Sequence, residues 1–285
     1  MRDPFRPDLL QGKTTVITGG GSGLGRSMAL RLAGLGAKVG VVGRRPGPLE
    51  ETVKAIQDAG GTAAAATADV RDPAAVKAAF DTLESRLGPA NQLVAAAAGN
   101  FLAASEDLSP NAFDAVVRIV LHGTFHCTAE LGRRLVARKA RGEVLAITTT
   151  YAGSGSAFVL PSACAKAGVR ALVQSLAVEW AEYGIRLNAI APGPFPTEGA
   201  FSRLLPGSEM EAQALRRIPS RRFGEHWELT NLAAYLLSDA SPYLTGHEVF
   251  LDGAEALFSG QEFAGFAHMD RAAAKQLLAS LKPKK

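Results

Sequence analysis

A glycine-rich turn held between a strand and a helix constrains this chain more than any other feature. The run Thr14-Thr-Val-Ile-Thr18 has the branched residues of a β-strand. Thr18-Gly19-Gly20-Gly21-Ser22-Gly23-Leu24-Gly25 follows at once, and a helical segment opens near Gly23. Glycines let the backbone turn tightly and approach a pyrophosphate, while unpaired N–H groups at the helix N-terminus attract the anion. In this strand–loop–helix setting the spacing predicts a dinucleotide site.

The same alternation runs on along the chain. Strands are predicted at Lys38–Val42, Gln92–Ala95, Glu143–Ile147, Arg186–Ile190 and Glu248–Leu251. Helical segments begin near Gly23, Pro48, Pro73 and Asn111, and a first-turn proline is tolerated. Continuous apolar strands separated by helices imply a parallel sheet covered on both faces. The expected fold class is therefore α/β, a Rossmann-type doubly wound parallel sheet flanked by helices. Its 285 residues are enough for a single domain over residues 1–285, with a short N-terminal arm and a basic C-terminal tail.

Composition narrows the functional classes. Hydrophobic residues make up 47% and charged residues 20%, an ordinary globular balance, and the net charge is a mild +4. No basic block interleaved with aromatics points to nucleic acid, and no apolar run is long enough for a membrane span. Cys127 and Cys164 lack metal-ligand spacing and sit in apolar helical patterns, so both are expected to be buried free thiols, with no metal bound. The N-terminal residues have no apolar signal core, and a reducing cytoplasmic setting is expected.

The end of the second strand bears on which dinucleotide binds. An acid there suits the ribose hydroxyls of NAD, but this chain has Gly43-Arg44-Arg45. Arginine matches a 2′-phosphate by charge and by its forked donors, so NADPH is expected. Asp69-Val70 reads either as an adenine contact or as a loop cap.

Lys166 is expected in the first turn of a helix spanning Ser162–Tyr183, where a cation opposes the dipole. A broken local rule of this kind marks a functional candidate. Ser162 lies four residues back on the same face and is either a ligand contact or the helix N-cap. Tyr151, fifteen residues before Lys166, ends a strand after Thr148-Thr149-Thr150 and is the best phenolic donor. Another strand ends in Ala95-Ala-Ala-Ala-Gly99-Asn100-Phe101, where small residues including Gly99 let a cofactor approach and Asn100 adds an amide.

Together these residues resemble the short-chain dehydrogenase/reductase family, and within it the mitochondrial-type 2,4-dienoyl-coenzyme A reductase group. The likeness runs from about Gln11 to Gln261. It is most specific in Ala-Gly-Asn-Phe (98–101), Leu-Ser-Pro-Asn-Ala (108–112), Ile-Thr-Thr-x-Tyr (147–151), Pro-Ser-Ala-x-Ala-Lys-Ala-Gly (161–168), Pro-Gly-Pro (192–194) and Gly-Ala-Phe-Ser-Arg-Leu (199–204). Most of the family has a tyrosine where this chain has Ser162, and the displaced tyrosine is a feature of that reductase group.

The resemblance implies seven parallel strands, a homotetramer and an acyl-CoA substrate. Tyr151 and Asn100 would hold the thioester oxygen, Lys166 the cofactor ribose, with Ser162 close to both. Thr18, Arg44, Asp69, Pro192, Gly193, Pro194, Phe195 and Thr197 match cofactor contacts. Arg71, Phe101, Ser109 and Arg203 match acyl-CoA contacts. The implied reaction reduces a 2,4-dienoyl-CoA to a 3-enoyl-CoA in unsaturated fatty-acid β-oxidation. The alternatives are a trans-2-enoyl-CoA or carbonyl reductase of the same family, or a weakly catalytic NADP-binding sensor. Three departures stand out: Ala95-Ala96 replaces a bracing asparagine pair, His122 takes the place of a relay asparagine, and Arg45-Pro46-Gly47 reshapes the specificity loop.

Overall fold

The computed structural model describes residues 3–197, 208–258 and 264–280. Seven strands lie in one sheet: β1 (Thr14–Thr18), β2 (Lys38–Gly43), β3 (Thr62–Thr67), β4 (Gln92–Ala95), β5 (Gly142–Ile147), β6 (Ile185–Pro192) and β7 (Glu248–Leu251). Their order is β3-β2-β1-β4-β5-β6-β7, and every pairing is parallel. The chain builds outward from β1 to β3, then returns to β4 on the other side of β1. That reversal opens a crevice at the carboxyl ends of β1 and β4, where doubly wound sheets bind ligands.

Parallel strands need crossovers, and helices supply them. Helices α1 (Gly23–Gly34) and α2 (Pro46–Asp58) cover one face. Helix α3 (Pro73–Leu87) covers the other. Helix α4 (Pro110–Val117) passes through a single π-helical turn, Arg118–His122, into α5 (Gly123–Arg138). Helix α6 (Leu160–Glu179) follows β5. Each face has its own apolar core. Phe80, Leu83, Leu93, Leu131, Leu135, Val169 and Val173 pack on one side; Met28, Leu32, Val39, Leu49, Ile190 and Leu229 pack on the other.

The predicted strands form with shifts of at most two residues at an end. β3 was not predicted as a strand. Its sequence, Thr62-Ala-Ala-Ala-Ala-Thr67, is alanine-rich and carries little intrinsic β preference. It is a strand because its in-register pairing with β2 supplies the backbone partners and α2 and α3 cover it.

Helix α6 corrects two expectations. It begins at Leu160 with Pro161 in its first turn, and Ala181–Tyr183 forms a separate 3-10 turn. Lys166 is therefore in the second turn, not the first. Ser162 is inside the helix and buried, so it is not the N-cap. Cys127 is buried as expected, and burial pushes its thiol up to about 12. Cys164 is exposed instead, because it falls between the core-facing Ala163 and Ala165 on the outward side of α6. Among the described residues no helix is long and apolar enough to cross a membrane, and no group of acids, histidines and cysteines could hold a metal ion.

The crevice is closed at its base by one hydroxyl. Thr18 Oγ1 is buried and accepts from both Ala96 N and Ala97 N at 3.1 Å. It braces the Ala96-Ala97 segment just past β4. Thr18→Val leaves both amides without this acceptor and should destabilise the fold by about 1–3 kcal/mol. Urea unfolding against wild type checks this.

Candidate active site

The glycine loop is built for a close approach. Gly19 and Gly23 hold φ of +70° and +51°, a region costly for side chains with a Cβ. A Cβ on Gly19 would stand 3.0 Å from Ala96 O, and one on Gly25 would run into Gly19 O. Gly21 faces Pro48 and Leu49 in the same way, at 3.1 Å from Pro48. Ser22 is the N-cap of α1, and Leu24 packs into the core below. The loop thus offers bare backbone at a helix N-terminus, a cradle that suits a pyrophosphate.

Arg44 and Arg45 are exposed at the end of β2. Arg45 is the N-cap of α2. Asp69 and Val70 stand at the neighbouring strand end, Val70 buried beneath Gly123. Arg71 turns back onto Asp69, donating through Nε at 3.0 Å and through a terminal nitrogen at 2.6 Å. That hydrogen bond, helped by the charge of Arg44, holds the Asp69 carboxyl below its usual range. Asp69 therefore braces its own loop and sits within the field of Arg44.

At the end of β4, the Asn100 carbonyl oxygen accepts the Phe101 N–H at 2.9 Å. This fixes which way the amide points: its NH2 faces Tyr151 OH, 3.4 Å away. Ser162 Oγ lies 3.2 Å from the same phenol oxygen. The structure thus brings together three of the four predicted catalytic side chains, Asn100, Tyr151 and Ser162, from the β4 loop, the β5 loop and α6. Ala103 N donates to Phe158 O at 2.9 Å, which ties the two loops to each other. Phe158 holds a φ of +64°, rare for an aromatic residue. Gly99 sits against Ile119, and Phe101 is partly buried on the core. Ser109 is the N-cap of α4, accepting from Ala112 N at 3.2 Å.

Lys166, the fourth, is buried, and its Nζ donates to the Ile147 carbonyl at the end of β5. Burial alone pulls its ammonium down from the usual 10.5 to about 8. His122 stands outside the cluster of Asn100, Tyr151 and Ser162 bonds. It is exposed on the π-helical turn, edge-on to His126 at 6.3 Å, while Val120 is the side chain that turn buries.

The segment Pro192–Thr197 completes the cleft. Gly193 packs on Asp252, Phe195 is buried, and Thr197 Cγ2 stands 3.6 Å from where a Gly23 Cβ would be. Arg203 lies outside the described residues.

Two residues were not legible as site residues. Thr149 Oγ1, two residues before Tyr151, is buried without a hydrogen-bond partner. A buried hydroxyl without a partner is uncommon; the repeated threonines of 148–150 were its only signal. Arg170 lies beneath Gly153 on the Tyr151 turn and pairs with Glu248 at 3.3 Å. Nothing local in the sequence couples those three positions.

A family model described as enoyl-(acyl carrier protein) reductase matches residues 19–254. The chain belongs to the short-chain dehydrogenase/reductase family. It is 46% identical over 267 residues to an uncharacterized oxidoreductase of Caenorhabditis elegans, covering 92% of this chain and 85% of that protein. It is 41% identical over 269 residues to a second Caenorhabditis elegans protein, covering 93% and 87%. That protein bears the name "Probable 2,4-dienoyl-CoA reductase 3", with (3E)-enoyl-CoA as product. Among solved structures, a gluconate 5-dehydrogenase from Burkholderia cenocepacia in complex with NADP and tartrate superposes with a TM-score of 0.83 at 31% identity, covering 88% of this chain and 98% of that one.

The buried lysine gives a pH signature. Below pH 8 folded and unfolded chains both hold the proton, and the fold bears the full cost of burying it; between about pH 8 and 10.5 the unfolded chain binds more protons, so stability rises with pH. Lys166→Met should abolish that rise, on the order of 3 kcal/mol at most. Chemical unfolding of both chains across this range measures it.

Proposed function

We propose that this chain reduces 2,4-dienoyl-CoA to 3-enoyl-CoA with NADPH, as in the β-oxidation of unsaturated fatty acids. One observation carries the reading. Ser162 stands four residues before the lysine, where most of the family holds a phenol, and Tyr151 from the β5 loop lies beside it, with Asn100 Nδ2 at 3.4 Å and Ser162 Oγ at 3.2 Å.

The residues present fit the cofactor. The bare backbone of Gly19, Gly21, Gly23 and Gly25, with Thr18, Ser22 and Leu24, would hold the pyrophosphate. Arg44 and Arg45 would hold a 2′-phosphate, and Asp69 and Val70 the adenine. Gly99, Lys166, Pro192, Gly193, Pro194, Phe195 and Thr197 would line the nicotinamide half. NADPH supplies hydride when bound, and the NADP held by the structural neighbour from Burkholderia cenocepacia supports that choice.

The chain's own work is electrostatic. A dienoyl thioester accepts hydride at its δ carbon because charge can travel to the thioester oxygen. Tyr151 O–H and the Asn100 amide donate to that oxygen and stabilise the charge as it grows. Ser162 orients the phenol. Lys166 adds a positive charge beside the path, held in a dry site where it acts strongly. A proton taken up at the α carbon, from water, completes the 3-enoyl product. No proton need pass to the carbonyl oxygen, so the phenol has no need to sit one helical turn from the lysine. Arg71, Phe101, Ser109 and Arg203 would contact the acyl-CoA.

The proposal extends to one catalytic domain over residues 1–285, a homotetramer and a cytoplasmic setting. Phe125 and Val136 on α5 and Leu160 and Val178 on α6 are exposed apolar residues, and Val178 is 83% exposed. Outward apolar residues on two packed helices support burial between subunits.

NADPH consumption on 2,4-dienoyl, 2-enoyl and 3-ketoacyl thioesters, with NADH in parallel, tests the substrate and cofactor. The 2,4-dienoyl thioester with NADPH should turn over fastest. Tyr151→Phe and Asn100→Ala should each lower kcat by about 10²- to 10³-fold with NADPH binding intact. Unchanged turnover in Tyr151→Phe would refute the role of the phenol.

A further inference from the structure

The glycine loop and the Pro192–Thr197 segment face each other across the cleft, and a short relay joins them. The next described helices after that segment are α7 (Ser208–Arg217) and α8 (His226–Leu237), and His226 is the first residue of α8. Its Nε2 lies 2.7 Å from Pro196 O, and its Nδ1 lies 2.7 Å from Ser27 Oγ. Ser27 sits one turn into α1, with its hydroxyl also 3.2 Å from Gly23 O.

The partners fix the protons. Pro196 O can only accept, so Nε2 carries hydrogen. In the neutral ring Nδ1 then accepts, and Ser27 gives it the hydroxyl proton along the shorter of its two contacts. Ser27 on α1, His226 and Pro196 thus form one connected path from one wall of the cleft to the other, and Gly23 O is left outside it because the hydroxyl has a single proton. Thr197, next along the chain, rests beside Gly23.

We propose that His226 is a positioning residue for the nucleotide, holding the Pro192–Thr197 segment at its working distance from the glycine loop through Ser27. The assignment rests on the cofactor reading above. A side chain that merely filled space here could be replaced by any of similar size. A relay needs an N–H at the Nε2 position.

Three substitutions separate these cases. Gln places an amide near the Nε2 position, Asn places one near Nδ1 only, and Leu offers neither. His226→Leu and His226→Asn should raise the Kd and KM for NADPH by about five- to tenfold, the worth of one hydrogen bond, while kcat at saturating NADPH is retained. His226→Gln keeps the Pro196 contact and loses the Ser27 one, so His226→Gln and Ser27→Ala should each show a smaller rise than His226→Leu. The readouts are direct NADPH titration and steady-state kinetics on the 2,4-dienoyl thioester. Wild-type affinity in His226→Leu, or equal losses in Gln and Leu, overturns the assignment and leaves the proposed reaction standing. A wild-type chain that binds no nicotinamide nucleotide overturns both.

Discussion

Parallel pairing of β1 with both β2 and β4 is the constraint from which the rest of this molecule follows. It forces the chain to leave β1 in one direction and come back on the other side, and the return leaves a gap between two loops. The glycine loop can fill that gap only if it carries almost no side chains, since Gly19 already meets Ala96 across it. The Thr18 hydroxyl then fastens the two sides together by accepting two amides. Asn100 stands on the β4 side of this fastened gap, and through Tyr151 it meets the β5 loop and α6.

Charge and burial divide the site into two parts. Around Tyr151 lie neutral donors, the partly accessible Asn100 and the buried Ser162, and the Phe101 N–H sets the orientation of the Asn100 amide. Behind them Lys166 is enclosed, and its burial makes the charged form expensive. A neutral donor cluster in front of a reluctant cation suits a reaction in which negative charge appears on oxygen only in passing. An ordinary proton exchange with a carbonyl would favour phenol and ammonium within one helical turn.

The layer order and most strand positions were legible because continuous apolar runs and glycine turns speak locally. β3 was illegible because alanine is neutral toward a strand that owes its form to β2 and to two covering helices. The helix start at Leu160 was missed by two residues, which moved Lys166 by a turn and turned Ser162 from a cap into a buried contact. Cys164 went wrong for a related reason: its flanking alanines face the core, and it does not. Of the site itself, Tyr151, Asn100 and Ser162 could be nominated from sequence, but their meeting point depends on the crossing of two loops and a helix. His122, Thr149 and Arg170 depend wholly on tertiary context: a π-helical turn that rotates one side chain outward, a hydroxyl left without a partner, and an ion pair reaching from α6 to β7.

The bond between Ala103 and Phe158 has a mechanical consequence. It makes the two loops a coupled pair, so a thermal excursion of one drags the other along. Spacing between amide and phenol is thereby insulated from such excursions, and Ser162 ties the phenol to the helix behind as well. Donor spacing at this mouth is thus a property of three elements held together rather than of any one loop.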